Sequence, residues 1–130
     1  NVLSTEKEKS DLTPNKVNKF HKINLVSVET AKRIYDDNIA LFIDARDQWE
    51  YADGHIFNSI NIPEFSFSPY LPIVKSLDKN GYYVVYCSNK DCNLSRNLAS
   101  QLQTLGFKNI SVFSGGWETW VNANLPIFRK

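Results

Sequence analysis

The sequence is poor in sulfur-containing residues: its 130 residues include no methionine and only two cysteines. Because even an initiator methionine is missing, we expect a trimmed or processed chain, and a targeting segment could have been removed before Asn1. The compartment is therefore left open: cytoplasmic, or periplasmic or exported if such a segment was removed. Two cysteines are too few for a disulfide scaffold. Cys87 and Cys92 lie close together in the sequence, which suits a redox pair or a chance neighbourhood.

The chain also lacks a charge imbalance and long apolar runs. Its formal net charge is +1, which gives no electrostatic reason to expect a nucleic acid or an anionic membrane as a partner. No apolar run approaches the length of a membrane span, and no hydrophobic region of a signal peptide is visible. The hydrophobic content of 42% and the aromatic content of 13% are typical of a globular protein. We expect a monomer with no nucleic-acid partner and no membrane span in this chain.

The chain divides into a leader and one domain. Residues 1–20 are polar and lysine-rich, have no sustained period and contain Pro14, so we predict a flexible leader. Residues 21–130 are long enough for one domain with a hydrophobic core. Short apolar strands at 23–26, 39–43, 60–62, 82–86 and 110–113 alternate with helical segments. That alternation predicts an α/β fold with a central, mostly parallel, five-stranded sheet and helices on both faces.

The most informative stretch is YYVVYCSNKDCNLSR at residues 82–96. Its first five residues are β-branched or aromatic, which is typical of a strand buried on both faces of a parallel sheet. The period then changes to that of an α-helix, with one apolar face at Leu94, Leu98, Leu102 and Leu105. Cys87 is therefore predicted to lie at the carboxyl end of a central strand, under a loop that leads into a helix N-terminus.

This position suggests a reactive cysteine. Ligands bind beyond the carboxyl ends of the strands in open α/β sheets. A helix N-terminus offers unpaired N–H groups and a positive dipole end, which favour the thiolate and lower a cysteine pKa that starts at about 8.5. The other interpretation of Cys87 is an inert, buried cysteine that acts as a small hydrophobic residue. The residue pattern by itself leaves both interpretations open.

A second group of polar residues follows the predicted strand at 39–43. Asp44, Arg46 and His55 are of types that occur in catalytic groups, but each also has a structural interpretation. Asp44 and Arg46 could tie the end of the strand to a neighbouring loop, and we expect them to support the site rather than to react. His55 follows a glycine and precedes an apolar residue, so we interpret it as a partly buried hydrogen-bonding residue rather than a base.

Several separated motifs resemble those of one family. DARDQWEYADGHI at 44–56, followed by SINIP at 59–63, resembles the first signature of rhodanese domains. VVYC at 84–87 is similar to the strand that carries the rhodanese nucleophile, and SGGWETW at 114–120 is similar to the closing signature. The motifs occur in the order of the family, and the resemblance covers residues 23–128.

The resemblance implies a single-domain, rhodanese-type sulfurtransferase, similar to thiosulfate sulfurtransferase, in which Cys87 is the nucleophile. A Cys87 thiolate would take sulfane sulfur from a small donor such as thiosulfate, and the resulting persulfide would pass it to cyanide, a small thiol or a protein thiol. The loop after Cys87 corresponds to the backbone cradle for the substrate, with the residues Ser88, Asn89, Lys90, Asp91, Cys92 and Asn93. No cofactor is implied, and no metal is expected, because the two cysteines and two histidines lack the paired spacing of a zinc site.

The loop departs from the usual family pattern. Lys90 stands at a glycine position and Cys92 at the position of a basic residue, and the spacing C-x4-C-x2-S resembles a subgroup with a second loop cysteine. Asn58 also stands where a glycine usually precedes the third strand. For Lys90 the alternatives are an ordinary solvated lysine or a charge that attracts an anionic donor.

Cys92 likewise has two interpretations. It could fill space beneath the loop, or it could be a resolving thiol that attacks a Cys87 persulfide, expels sulfide and leaves a disulfide. The second interpretation requires the two Cα atoms to lie within about 7 Å of each other.

Three functions from other classes remain as alternatives. A thiol redox protein would use Cys87 and Cys92 as an exchanging pair. A non-catalytic rhodanese-like binding module is also possible, although such modules often lack the cysteine that is present here. A phosphatase of the same fold is less favoured, because it would carry an arginine where this chain has Asn93, and the first arginine after Cys87 is Arg96.

Overall fold

The computed structural model describes residues 23–130, so the predicted leader at 1–20 lies outside the described residues. The strands are β1 (Asn24–Val26), β2 (Leu41–Asp44), β3 (Gly54–Ile56), β4 (Ile60–Asn61), β5 (Tyr82–Tyr86), β6 (Asn109–Phe113) and β7 (Ile127–Arg129). The helices are α1 (Val28–Asp36), α2 (Gln48–Asp53), α3 (Leu71–Ser76), α4 (Leu94–Thr104) and α5 (Gly116–Asn122), and a 3-10 helix (Ser68–Tyr70) precedes α3. Within residues 23–130, no helix is both long and apolar enough to cross a membrane.

Five of the strands form a parallel sheet in the order β1-β6-β5-β2-β4. β5 is the middle strand, and its last residue, Tyr86, lies opposite Asp44 of β2 and Phe113 of β6. Because all the pairs are parallel, the carboxyl ends of the strands lie at one edge of the sheet. The predicted α/β fold, with Cys87 directly after the middle strand, is confirmed.

The side chains of β5 alternate between two core layers. Val85 packs in the layer that contains Leu98 of α4, whereas Val84 packs in the layer that contains Trp120 of α5. Burial of each large apolar side chain in such a layer stabilises the fold by about 1.5–3 kcal/mol. The two layers place helices on both faces of the sheet, and Cys87 belongs to the layer with α4.

Local sequence explains the start of α1. The hydroxyl of Ser27 accepts a hydrogen bond from the backbone N–H of Thr30 at 3.2 Å, which makes Ser27 the N-cap. Glu29 lies in the first turn, where the helix dipole favours a negative charge. Ala31 is fully buried against the sheet.

The apolar face of α4 differs from the prediction at one residue. Leu98 and Leu102 are fully buried, but Leu105 is 39% exposed. The helix ends at Thr104, and Gly106, whose φ is +101°, then turns the chain away from the helical path. Leu105 therefore caps the helix instead of continuing its buried face.

A two-stranded antiparallel ribbon of β3 and β7 was not predicted. His55 of β3 lies opposite Phe128 of β7. Each strand has only three residues, and the two are far apart in the sequence, so no local pattern marks their pairing. The ribbon attaches the end of the chain to the segment between β2 and β4.

Candidate active site

Cys87 lies at the carboxyl edge of the sheet, and it is only 1% exposed. The end of β2 is held beside it, because the backbone N–H of Ala45 donates to the carbonyl oxygen of Tyr86 at 2.8 Å. Ala45 and Ile62, which follow β2 and β4, belong to the same buried cluster as Cys87. The ends of three neighbouring strands therefore meet at this cysteine.

The side chain of Cys87 contacts the first turn of α4. Its Sγ lies 3.4 Å from the Oγ of Ser95, which is itself buried. Because the Cys87 sulfur is bonded to Cys92 and carries no proton, the Ser95 hydroxyl is the donor in this hydrogen bond. The same hydroxyl can donate to a Cys87 thiolate, and hydrogen bonds to a charged acceptor are stronger. Sequence reasoning did not assign Ser95 to the site, although the C-x4-C-x2-S spacing ends on it.

Cys87 and Cys92 form a disulfide bond, and their Cα atoms are 6.4 Å apart. This separation meets the geometric condition for a resolving cysteine, since bridged Cα atoms lie within about 7 Å of each other. The two residues differ in exposure, because Cys87 is buried and Cys92 is only partly buried. The six residues from 88 to 93, called the active-site loop below, contain Cys92 and lead from Cys87 to α4.

The active-site loop is organised by Asn89. Its side-chain oxygen accepts a hydrogen bond from the N–H of Asp91 at 3.0 Å, and its carbonyl oxygen accepts one from the N–H of Cys92 at 3.1 Å. Its side-chain amide donates to the carboxylate of Glu118 on α5 at 3.1 Å. Two N–H groups of the predicted backbone cradle are therefore already used inside the loop.

The start of α5 holds the backbone of Cys87 and Ser88. The N–H of Trp117 donates to the carbonyl oxygen of Cys87 at 2.8 Å, and the N–H of Glu118 donates to that of Ser88 at 3.0 Å. Gly116 has a φ of +68°, and a Cβ on it would lie 2.5 Å from the carbonyl oxygen of Cys87. Both the left-handed backbone and the close approach require glycine. The closing SGGW motif thus positions the active-site loop.

Asp44 and Arg46 form a buried ion pair near this contact. Arg46 donates from Nε and Nη2 to the Asp44 carboxylate at 3.0 and 2.7 Å, and Nη2 also donates to the Gly54 carbonyl oxygen at 2.6 Å. Its guanidinium carbon lies 5.0 Å from the ring centre of Trp117, within cation–π range. Burial by itself lowers the pKa of Arg46, but the hydrogen bonds and charge of Asp44 raise it above its ordinary value. The guanidinium therefore stays charged and contacts the residue that binds the Cys87 carbonyl.

His55 is built into the ribbon of β3 and β7. Its ring stacks on Tyr51 and Phe128, with centroid distances of 3.7 and 5.0 Å. Its Nδ1 donates to the carbonyl oxygen of Tyr51 at 2.7 Å. The interpretation of His55 as a partly buried hydrogen-bonding residue is confirmed.

Two open cavities flank the carboxyl edge of the sheet. One, of about 400 Å³, is lined by segments that follow β2 and β4, including Ala45 and the exposed aromatic residues Trp49 and Phe65. Ala45 also packs in the buried cluster with Cys87, but Cys87 itself does not line this cavity.

The other cavity, of about 520 Å³, contains Lys90. Glu29, Asp91 and Glu118 also line this cavity. Three carboxylates near one lysine reduce the positive potential at the tip of the active-site loop. The predicted attraction of an anionic donor by Lys90 therefore has to act against these charges.

Comparison with solved structures shows the same fold elsewhere. A protein from Bacillus halodurans has a TM-score of 0.73 and 23% identity, and the match covers 82% of this chain and 77% of that chain. A rhodanese-related protein from Thermoplasma volcanium has a TM-score of 0.65 and 28% identity, and the match covers 82% of this chain and 99% of that chain.

Curated relatives are longer than the matched region. The tRNA uridine(34) hydroxylase of Sodalis glossinidius is 33% identical over 110 residues, which are 82% of this chain and 30% of the relative. A protein of Buchnera aphidicola described as uncharacterized is 29% identical over 90 residues, which are 69% of this chain and 61% of the relative. This chain thus spans less than two thirds of either protein.

The family match includes the central parts of the site described above. Residues 27–123 match the family described as rhodanese-like domain. That range contains the strand that ends at Cys87, the active-site loop, the buried Asp44–Arg46 pair and the glycine turn at 114–117. This chain, with its cysteine at the carboxyl edge of a five-stranded parallel sheet, belongs to the rhodanese-like domain family.

Proposed function

We propose that this chain is a sulfurtransferase that carries sulfane sulfur as a persulfide on Cys87. The observation that supports this most is the position of the Cys87 sulfur against the first turn of α4, within hydrogen-bonding distance of the Ser95 hydroxyl. A helix N-terminus and a hydroxyl donor both stabilise a thiolate, which is the nucleophilic form of cysteine. Membership of the rhodanese-like family supports the same chemistry.

In the first half-reaction, the Cys87 thiolate attacks the outer sulfur of a donor such as thiosulfate. A bond forms between the two sulfur atoms, the S–S bond of the donor breaks, and sulfite leaves with the electron pair. The resulting persulfide carries negative charge that backbone N–H groups can stabilise. The N–H groups of Ser88, Asn89, Lys90 and Asn93 donate to no acceptor within residues 23–130, so we assign the cradle to them.

In the second half-reaction, an acceptor thiolate or cyanide attacks the outer sulfur of the persulfide. The new bond forms on the acceptor, and Cys87 leaves as a thiolate, ready for the next donor. We propose the cavity beside Ala45, Trp49 and Phe65 as the route of the acceptor. The exposed aromatic residues would favour an acceptor with apolar surface.

Thiol redox chemistry is a second candidate function, and the Cys87–Cys92 disulfide is the observation that favours it. A Cys92 thiolate would attack the Cys87 sulfur of the persulfide, and hydrosulfide would leave. The outer sulfur is then reduced to sulfide while the two cysteines are oxidised to the disulfide, so the electrons balance. In this scheme, the oxidised pair is the product of turnover without an external acceptor.

Other assignments receive less support. Arg96 donates to the side-chain oxygen of Asn93 at 3.2 Å and lies 3.5 Å from the carbonyl oxygen of Cys92, so its guanidinium is directed to the loop rather than placed as a phosphate clamp. The Sodalis hydroxylase shares only 30% of its length with this chain, so its name does not supply a substrate for this domain. We therefore propose a thiol or cyanide acceptor.

The proposal is tested by sulfur transfer from thiosulfate to cyanide, with protein that has first been reduced and freed of reductant. Cys87→Ser should be inactive while its thermal unfolding stays close to that of the wild type. Cys92→Ser is the matched control, because it removes the other sulfur but keeps the nucleophile, and it should still transfer sulfur. Normal turnover by Cys87→Ser would falsify the assignment.

A further inference from the structure

We infer that Cys92 is the residue through which an external thiol reduces the oxidised protein, with the Cys87 thiolate as the leaving group. The inference adds a second reactive residue to the site and defines its ligand as a thiolate, either of a small molecule or of a protein. It rests on the proposed function only for the reactivity of Cys87, and it concerns the disulfide form alone.

The first argument is access to the two sulfur atoms. An attacking thiolate approaches a disulfide sulfur in line with the S–S bond, from the side opposite the sulfur that leaves. Attack on the Cys87 sulfur by an external thiolate is hindered, because Cys87 is 1% exposed and the buried Ser95 lies against its sulfur. Cys92 packs against the same buried cluster but is only partly buried, and it lies between the exposed residues Asp91 and Asn93, so it is the more accessible of the two cysteines.

The second argument is the stability of the leaving group. The sulfur that leaves as a thiolate departs faster when that thiolate is stabilised. The Ser95 hydroxyl is already 3.4 Å from the Cys87 sulfur, and the first turn of α4 adds the positive end of a helix dipole. Expulsion of Cys87 is therefore favoured by the same contacts that make it a nucleophile.

The steps balance with two thiols or one dithiol as reductant. The incoming thiolate bonds to the Cys92 sulfur, the bond between Cys92 and Cys87 breaks, and its electron pair stays on Cys87. A second thiolate then attacks the reductant sulfur of the mixed disulfide, which oxidises the reductant to a disulfide and releases Cys92 as a thiolate. Cys87 thus regains its reactive form without bonding to the reductant.

The test starts from protein oxidised with diamide. Because Lys90 lies between Cys87 and Cys92, trypsin digestion separates the two cysteines. The oxidised protein is exposed briefly to limiting glutathione and quenched with N-ethylmaleimide. Trypsin cleaves after Lys90, so Cys87 and Cys92 fall in different peptides, residues 80–90 and 91–96. We expect glutathione on the 91–96 peptide and maleimide on the 80–90 peptide, in roughly tenfold excess over the reverse pattern.

Glutathione on the 80–90 peptide, an equal distribution, or failure of the internal disulfide to form would each overturn the inference. The experiment uses no sulfur donor. It therefore identifies the cysteine that glutathione attacks even if Cys87 cannot be loaded with sulfur. A thioredoxin-type protein dithiol in place of glutathione identifies the source of the thiol, because the faster reductant at equal thiol concentration is the better partner. Attack by either reductant on Cys87 counts against the inference.

A second variant tests the leaving group separately. Ser95→Ala removes the hydroxyl beside Cys87 and should slow the reduction of the disulfide by glutathione several-fold. Ser100→Ala, at an exposed position on the same helix, is the matched control. Glutathione should reduce the disulfide of this variant at the wild-type rate. An unchanged rate in Ser95→Ala would overturn the leaving-group argument.

Discussion

Gly116 lies against the carbonyl oxygen of Cys87 so closely that a Cβ at residue 116 would stand 2.5 Å from that oxygen. The next residue, Trp117, donates its backbone N–H to the same oxygen. Because a buried carbonyl needs a partner, this hydrogen bond determines the direction in which the chain leaves β5. The conformation of the active-site loop therefore depends on the start of α5.

Gly116→Ala should distort the active-site loop and reduce sulfur transfer strongly. The added methyl group would collide with backbone, and the φ of +68° would disfavour alanine, at a combined cost of about 1–3 kcal/mol or more in the free energy of unfolding. Thermal unfolding and thiosulfate turnover measure the two effects.

Gly106→Ala is the matched control for this change. Gly106 also has a positive φ, of +101°, but the nearest atom to its added Cβ is a flexible Lys79 carbon at 3.5 Å. The Gly106→Ala variant should be less stable than the wild type but should keep the wild-type turnover number. Wild-type turnover in Gly116→Ala would show that the contact with Cys87 does not position the loop.

Asp44→Ala and Arg46→Ala should each destabilise the fold and lower activity only in part. Removing one partner leaves the other charge buried and unpaired, which costs about 3–5 kcal/mol in the free energy of unfolding. Arg46→Ala also removes the cation over the Trp117 ring. Urea unfolding and turnover by the folded fraction are the measurements.

An exposed ion pair provides the control for breaking the buried Asp44–Arg46 pair. Lys32 and Asp36 of α1 have side chains that are 53% and 46% exposed, and Lys32→Ala should cost about 0.3–0.5 kcal/mol. Complete loss of chemistry in the Asp44 or Arg46 variant, with unchanged unfolding, would instead indicate direct participation in the reaction.

Lys90→Ala tests whether the tip of the active-site loop attracts an anionic donor. We expect a modest rise in the KM for thiosulfate at low ionic strength, and this rise should fade as salt is added, because interactions between exposed charges are screened. Lys108→Ala, an exposed lysine that precedes β6 at the opposite edge of the sheet, should show no such rise. If the KM of Lys90→Ala equals that of the wild type at low salt, Lys90 is an ordinary solvated lysine with no part in attracting the donor.

Cys92→Ser should prolong the life of the persulfide. The reduced protein is loaded with thiosulfate, excess donor is removed, and sulfide release is followed without added thiol. The wild type should release sulfide and form the Cys87–Cys92 disulfide, whereas the variant should hold its persulfide, because it lacks the resolving sulfur. Equal persistence in both proteins would leave Cys92 with a packing role only.

Sequence patterns predict those parts of the structure that local interactions determine. The aromatic and β-branched run of β5 and the leucine spacing of α4 are local, and together they place Cys87 at the carboxyl edge of the sheet. Asn58 is also explained locally: its φ of +72° is left-handed, so glycine suits this position and asparagine is one of the few other residues that tolerate it.

The remaining features of the site depend on contacts between distant segments. The C-x4-C-x2-S spacing includes Ser95 but does not show what its side chain contacts, because that contact depends on how the loop brings α4 onto the Cys87 sulfur. The hydrogen bond from Trp117 to Cys87 and the pairing of β3 with β7 likewise join segments that no local period connects. For the same reason, spacing could leave Cys92 open between two roles but could not show its bond to Cys87.

The central claim, that Cys87 carries the sulfur, is tested most directly by the mass of the protein after incubation with thiosulfate. Reduced Cys92→Ser protein is the appropriate sample, because no second sulfur can discharge the persulfide. After alkylation and trypsin digestion, we predict one additional sulfur atom on the peptide of residues 80–90, and treatment with cyanide before alkylation should remove it. A peptide of residues 80–90 that gains no sulfur would contradict the account.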